Sequence, residues 1–268
     1  GEEAARQWAE KGLAISDLLA GCICALQYMN TIRTGEPTAP SSPSHPQPSI
    51  APAPTEQTAD SGDPADILGQ CLMTVLSTVM FVLDVANRER EYDVERSSAS
   101  ATVSKELGED GKVARQVLRL LKYTRMCLQR PYVQDSVYAL CLQVTAQSCE
   151  LLRTIPSQLD AVLRLSLPPL LAILQEQLPR LLSRKTLTVA LTTTLSLVVY
   201  PSAVNQLVDR GIIRLLTTFG GEFEAGDTES KYYAGMWGTI LDILAGVVRS
   251  GSDKQRIRQG VLSFFGTH

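Results

Sequence analysis

Histidine is scarce in this sequence, which limits the catalytic devices that the chain can hold. Of 268 residues only two are histidines, His45 in a proline-rich stretch and His268 at the last position. A Ser-His-Asp or Cys-His device needs a histidine held beside the nucleophile, and neither position favours this. Cofactor fingerprints are also missing, because the glycine-rich loop Gly220–Asp227 lacks the preceding strand and the Gly-Lys-Ser/Thr ending of a P-loop. We therefore expect no enzyme and no bound cofactor.

The six cysteines follow neither a metal-binding nor a disulfide pattern. No two are spaced as Cys-x-x-Cys and neither histidine lies near a cysteine pair, so no zinc site is expected. Two pairs share a predicted helix at spacings that do not suit a disulfide. Reduced thiols of this kind predict an intracellular protein. All six lie in predicted helices: Cys22, Cys24, Cys71, Cys127, Cys141 and Cys149.

Aromatic residues make up only 6% of the chain, so Leu, Val, Ile and Ala must supply the core, which suits helices packed on helices. The formal net charge of −3 gives no general attraction for nucleic acid or an anionic membrane. One apolar run, Ile67–Val85, has the length of a membrane span. It contains Gln70, Thr74 and Asp84, which favour a helix buried in a helical repeat.

Leucine-rich helices follow one another with a regular spacing. The first helix of each pair is predicted to begin at Lys112, Ser157 and Ser202, and the second after Arg130-Pro131, after Ser183 and near Ser230. Prolines are predicted to separate the helices: Pro156, Pro168-Pro169, Pro179 and Pro201. This spacing matches the roughly 40–47 residues of HEAT and armadillo repeats. It predicts an all-α fold in which stacked antiparallel helix pairs form an α-solenoid, and a compact helical bundle is the alternative.

The chain is predicted to have three parts: a helical segment at residues 1–33, an insert at residues 34–64, and a helical-repeat solenoid at residues 65–268 that is continuous with the first segment. The insert is rich in Pro and Ser and has too little apolar surface to offset the entropy of ordering, so it is predicted to be disordered. Ser42-Pro43 is a proline-directed phosphoacceptor pattern. A regulatory insert and a tolerated insertion both remain open. A second loop is predicted over Glu95–Gly111, with room for one helical turn near Lys105.

A basic stripe lies on the helix predicted over Lys112–Arg130, opposite its apolar side. Its members fall within roughly 80° of the helix circumference: Lys112, Arg115, Arg119, Lys122 and Arg130. Such a stripe can bind phosphate backbone, inositol phosphates or an acidic peptide. A solvated outer face is the alternative.

The last predicted helix, Asp253–Phe265, has a wide apolar arc. Ile257, Val261 and Phe265 are predicted to form its inner side, and Leu262 and Phe264 widen the arc at its two edges beyond what one neighbouring helix would cover. We therefore expect this end to contact a further helix or a partner chain, with Phe264 and Phe265 as the contact residues.

The stretch from Lys112 to Phe265 resembles HEAT and armadillo solenoids. Its closing part, with Tyr232–Trp237 and Ser263–His268, resembles the tail solenoid of the large inner-ring scaffold nucleoporins, as do the Pro/Ser insert and the leucine-rich core. This resemblance implies a structural subunit of the nuclear pore complex at the nuclear envelope, which binds other nucleoporins in nucleocytoplasmic transport.

Independently of that resemblance, the residues predict a non-enzymatic helical-repeat scaffold that binds protein partners, with nucleic acid and a membrane span not expected. A basic-stripe module that binds phosphate or nucleic acid within a larger regulatory assembly is the alternative.

Overall fold

A computed structural model describes residues 14–34, 63–92, 98–128, 130–178, 183–218 and 230–266. Within these ranges every regular element is a helix and no strand occurs, so the all-α fold class is confirmed. The described residues form eleven helices: α1 (Ile15–Thr34), α2 (Pro64–Tyr92), α3 (Ser98–Gly108), α4 (Lys112–Cys127), α5 (Pro131–Leu151), α6 (Pro156–Gln177), α7 (Arg184–Leu197), α8 (Pro201–Asp209), α9 (Ile212–Thr218), α10 (Ser230–Ser250) and α11 (Lys254–Gly266).

The predicted helix starts agree with these bounds. The first helices of the predicted pairs, α4, α6 and α8, begin at Lys112, Pro156 and Pro201, and their partners α5, α7 and α10 begin at Pro131, Arg184 and Ser230. The starts of α4, α6 and α8 therefore recur after roughly 45 residues, as in paired-helix repeats.

Prolines and polar caps determine several of these starts. Proline tolerates the first helical position because its missing N–H would have had no partner within the helix. Asp63 caps α2, since its carboxylate accepts a 3.0 Å hydrogen bond from the backbone N–H of Ala65. Ser183 caps α7 by accepting from the N–H of Thr186 at 3.3 Å. Four helices begin with a proline: Pro64, Pro131, Pro156 and Pro201.

Helices α2, α5, α7 and α10 contact one another in that order, and we call them row 2. The first two run parallel, because their contacts follow the same order along both helices. Asp66 at the start of α2 pairs with Arg130 just before α5 at 2.7 Å, and Arg90 near the end of α2 pairs with Glu150 near the end of α5 at 2.9 Å. Among the described residues, α2 makes no extensive contact with α7 or α10.

Helices α1, α4, α6 and α8 form a second series, row 1, which continues through α9 to α11. Its first two helices are also parallel. The Lys112 ammonium lies 3.9 Å from the carboxylate of Asp17 near both starts, and further along Gln27 donates to the hydroxyl of Tyr123 at 2.7 Å. Successive helices pack across the rows, as α4 does on α5 and α6 on α7. Buried apolar side chains from both rows form one continuous core.

Residues 98–108 correct the sequence-based expectation of a loop over Glu95–Gly111. They form α3, which packs on α2, α4 and α6. Val103 and Leu107, one turn apart, are 4% and 1% exposed and anchor this short helix. Glu106 accepts a 2.8 Å hydrogen bond from the backbone N–H of Ser16. α3 therefore also provides an acceptor for a backbone N–H group in the first turn of α1, which has no partner within its own helix.

The prolines inside α6 do not end it. The prediction that Pro168 and Pro169 separate two helices is wrong, because α6 continues through both. Each proline lacks the N–H that would bond the preceding turn. Packing compensates for this loss, since the flanking Leu167 and Leu170 are fully buried.

The segment after Tyr200 divides into two short helices where the sequence predicts one over Ser202–Phe219. The division between α8 and α9 falls at Gly211, whose φ is 83°. Glycine adopts this left-handed conformation at little cost because it has no Cβ, and it is the usual residue just after a helix end.

Other predictions lie outside the described residues. They concern residues 1–13 of the predicted first segment, residues 35–62, which hold nearly all of the predicted insert, and the loop Gly220–Asp227. The side chains of Phe264 and Phe265 are not described either. The insert and the proposed end contact therefore stay predictions.

Candidate functional site

The outer side of α4 carries basic and apolar side chains together. Its inner side is packed against the other helices through Val113, Ala114, Val117, Leu120, Leu121, Thr124 and Cys127. On the opposite side lie five exposed residues that span roughly 100° of the helix circumference, counting 100° per residue. We call them the α4 surface: Arg115, Leu118, Arg119, Lys122 and Met126.

The structure divides the predicted basic stripe. Arg115, Arg119 and Lys122 lie together on the α4 surface, exposed and with no hydrogen bond or ion pair to another described residue. Lys112 lies at the first position of α4 and faces Asp17 at 3.9 Å. Arg130 is not on this helix at all, which corrects the predicted helix end. Its backbone is extended, because α4 ends at Cys127 and Arg130 directly precedes the first residue of α5.

Sequence reasoning missed three features of this region. Arg125 forms a two-point hydrogen bond to the carboxylate of Glu176 on α6, at 3.0 and 2.9 Å. Leu118 and Met126 are 37% and 44% exposed among the cations. The same count of 100° per residue places both apolar side chains on the basic side, so the helical pattern already contained this signal.

Glu150 joins neighbouring parts of row 2 at the end of α5. Arg90 of α2 donates to the carboxylate of Glu150 at 2.9 Å, and also to the backbone oxygens of Glu150 and of Leu151. Arg153 pairs with the same carboxylate at 2.8 Å, and the hydroxyl of Tyr200 donates to it at 2.8 Å. Burial, and then this hydrogen bond, raise the pKa of Tyr200, so its hydroxyl stays a donor at neutral pH. The network connects α2, α5 and the turn between α7 and α8.

The cysteines are free thiols in two different environments. Cys127, Cys141 and Cys149 are buried, whereas Cys24 and Cys71 are exposed. Burial raises the pKa of Cys141 and Cys149 to about 12, so these thiols stay protonated at neutral pH. Within the described ranges, no three His, Cys, Asp or Glu side chains come close enough together to hold a metal ion.

A cavity of about 160 Å³ lies beside Arg130, between the ends of α1 and α4 and the start of α2. Its charged groups come from Asp63, Asp66 and Arg130. These groups are already engaged: Asp63 caps α2, and Arg130 pairs with Asp66 at 2.7 Å. The cavity therefore offers few free polar groups to a ligand, and we assign it no function.

The last helix is partly as predicted. Ile257 of α11 is buried and Val261 is half-buried, which fits the predicted inner side. Leu262 is 55% exposed at one edge of the predicted apolar arc. An exposed edge agrees with the proposed contact at this end but does not identify what covers it.

Within the part of the chain that the structure describes, three helices have the length and apolar composition of a membrane span: Ile15–Ile32 of α1, Pro64–Arg90 of α2, and α6. In α6 the apolar side chains pack into the core, where Leu163, Leu167 and Leu170 are fully buried. In α2 one side is buried, while Ile67 and Phe81 on its outer side are 55% and 44% exposed.

The chain matches no known family model, no characterised protein and no solved structure. Its function therefore has to be argued from its own residues.

Proposed function

We propose that this chain is a non-enzymatic scaffold, an α-solenoid of the HEAT and armadillo kind that binds protein partners. The observation that carries the proposal is the order of contacts in the two rows. Each helix of row 2 packs mainly on the next one in its row, and the residues that pair between α2 and α5 keep the same order along both helices. Stacking of this kind is typical of repeat proteins, in which each repeat contacts its neighbours and leaves long outer faces exposed.

The exposed apolar side chains support a partner-binding role. Large apolar residues on the surface are normal when they occur singly. Here some come in pairs on one helix side, as Tyr28 and Ile32 do at 65% and 60% exposure on α1. Leu118 and Met126 form a second such pair within the α4 surface. Paired apolar groups next to polar or basic groups are what a protein interface uses.

The nuclear pore is the setting that the resemblance of the closing stretch suggests. We propose a structural subunit of the nuclear pore complex that binds other nucleoporins at the nuclear envelope and serves nucleocytoplasmic transport. The two rows of helices and the leucine-rich core are compatible with this proposal. They are equally compatible with other helical scaffolds, so the setting rests on the resemblance alone.

Binding of phosphate or nucleic acid is the second candidate function. The observation in its favour is that Arg115, Arg119 and Lys122 are exposed without an acidic partner among the described residues. Such cations release counterions when they bind phosphates, so their binding weakens steeply with salt. The net charge of −3 opposes long-range attraction of a polyanion, which makes this the weaker candidate.

The scaffold proposal is tested by expressing the chain with a fluorescent tag in cells that have a nuclear envelope. We expect a signal at the nuclear rim, and in gel filtration of the extract we expect elution with other proteins in a complex much larger than 29.2 kDa. A stable complex without the rim signal would contradict the nuclear-pore setting and leave the scaffold intact. A diffuse signal and elution at the size of the tagged monomer would contradict both.

A further inference from the structure

The α4 surface has a charge pattern that folding does not account for. Arg115, Arg119 and Lys122 follow one another at spacings of four and three residues, so their like charges are neighbours on the helix. Like charges at these spacings destabilise a helix. Elsewhere on the same helix the cations have partners, as Arg125 has in Glu176 and Lys112 in Asp17. We therefore expect the three unpaired cations to pair with negative groups outside the described residues.

Two exposed apolar side chains on the α4 surface indicate which class of partner it binds. Leu118 is 37% exposed at one edge of the three cations, and Met126 is 44% exposed one turn beyond Lys122. A phosphate backbone offers these groups no apolar contact, and the α4 surface has no aromatic ring on which a base could stack. Arg and Met are enriched at protein interfaces. The combination therefore favours a protein segment that has both carboxylates and apolar side chains.

We propose that the α4 surface binds an acidic amphipathic helix of a protein partner, an inference that rests on the proposed scaffold function. The apolar side of the partner helix contacts Leu118 and Met126, and its carboxylates pair with Arg115, Arg119 and Lys122. Leu118 and Met126 are separated by about 12 Å along the helix axis, given a rise of 1.5 Å per residue. A partner helix of about three turns is long enough to contact both of them.

The test uses a labelled helical peptide with Leu at positions i, i+4, i+7 and i+11 and Glu beside them. Its binding to the full chain is followed by fluorescence anisotropy, together with a version in which Gln replaces Glu, a single-stranded RNA and inositol hexakisphosphate. We expect the Glu peptide to bind and the Gln peptide to bind at least about tenfold more weakly, because charge pairs fix such an interface.

Matched variants separate this surface from general charge effects. The double variant Arg115→Glu/Arg119→Glu should weaken peptide binding at least about tenfold. Arg249→Glu/Arg258→Glu changes the net charge equally at exposed residues of α10 and α11 and should leave binding within about twofold. Leu118→Ser should weaken binding several-fold, whereas Leu241→Ser, at a position 44% exposed on α10, should not. Circular dichroism checks that each variant keeps the helical content of the unchanged protein. A variant that loses helical content is replaced by Lys122→Ala.

Three results would overturn the inference. In the first, Arg115→Glu/Arg119→Glu does not weaken peptide binding. In the second, the peptide does not bind at concentrations up to millimolar. In the third, RNA or inositol hexakisphosphate binds, Leu118→Ser leaves that binding unchanged, and the peptide fails to compete with it. The last result would assign the α4 surface to polyanions.

Gel filtration of extract distinguishes this inference from the scaffold proposal. If Arg115→Glu/Arg119→Glu keeps its large complex and the peptide does not bind, only the inference fails. If the unchanged chain forms no complex but binds the peptide, only the scaffold proposal fails.

Discussion

At the scale of single residues, Glu150 shows how the helices of row 2 are held in register. Its carboxylate accepts from Arg90, Arg153 and Tyr200, which come from three separate parts of the chain. The Arg90 side chain is only 14% exposed, so its charge depends on these partners in place of water. Such a network cannot be predicted from spacing, because Arg90 and Tyr200 lie 60 and 50 residues from Glu150 in sequence and meet it only once the helices are stacked.

Replacing Arg90 by Ala is therefore expected to destabilise the fold. The change removes bonds to the carboxylate of Glu150 and to two backbone oxygens at the end of α5, which should lower the free energy of unfolding by about 1–3 kcal/mol. Arg88→Ala is the matched control on the same helix, because Arg88 is 63% exposed and pairs only with Asp84 one turn away. Its effect should stay within about 0.5 kcal/mol. Urea unfolding measures both, and equal effects would contradict the role given to Glu150.

At the scale of helices, α10 packs on α7 through a glycine. A Cβ added to Gly246 would lie 2.5 Å from a methyl carbon of Val198 and 3.2 Å from its Cβ, so the two helices approach closely at this point. Gly238 on the same helix has open space around it, with no heavy atom within 4 Å of an added Cβ. The close packing of α10 on α7 therefore depends on a glycine at position 246 and does not depend on one at position 238.

The expected effects of alanine differ in sign. Gly246→Ala should destabilise the protein by about 1–3 kcal/mol, because the valine side chain and the helix spacing must adjust. Gly238→Ala should stabilise it by about 0.5–1 kcal/mol, because alanine favours the helix and meets no neighbour. Thermal unfolding of the two variants in parallel checks this. Stabilisation by both would mean that α10 does not pack on α7 at Val198.

Sequence patterns predicted some helices well and others not at all. Starts such as Pro131 and Pro156 were predictable, since proline is tolerated at a first helical position and breaks most others. The same rule gave a wrong break at Pro168, because burial of the flanking leucines outweighs the lost hydrogen bond. The full length of α3 was missed, beyond one turn near Lys105, since its Ser-rich sequence has little helix propensity and its stability comes from burying Val103 and Leu107.

The candidate site was predictable only in part. Arg115, Arg119 and Lys122 share one exposed side of α4, as helical periodicity predicted. Arg130 was placed with them wrongly, although Pro131 directly after it disfavours a helical backbone at Arg130, and α4 ends earlier, at Cys127. The ion pairs that engage Arg125 and Arg130 join different helices, and an unaligned sequence contains no information about such contacts.

At the scale of the whole molecule, the central claim is that the helices of row 2 are stacked in a line. A compact bundle would instead bring α10 back towards α2. In both arrangements α2 contacts α5, so the helical content and the nearest contacts do not separate them. The two arrangements are separated by the distances from α2 to α7 and from α2 to α10, which are two and three places away in row 2.

The most direct measurement is electron-spin distance measurement between labels at exposed positions of row 2. Labels are attached through Thr78→Cys on α2, paired with Thr192→Cys on α7 or Asp242→Cys on α10, with the exposed Cys24 and Cys71 replaced by Ser. Since neighbouring helices pack 8–10 Å apart, the stacked row predicts separations on the order of 20 Å for α2–α7 and 30 Å for α2–α10. An α2–α10 distance equal to or shorter than the α2–α7 distance would contradict the stacked arrangement.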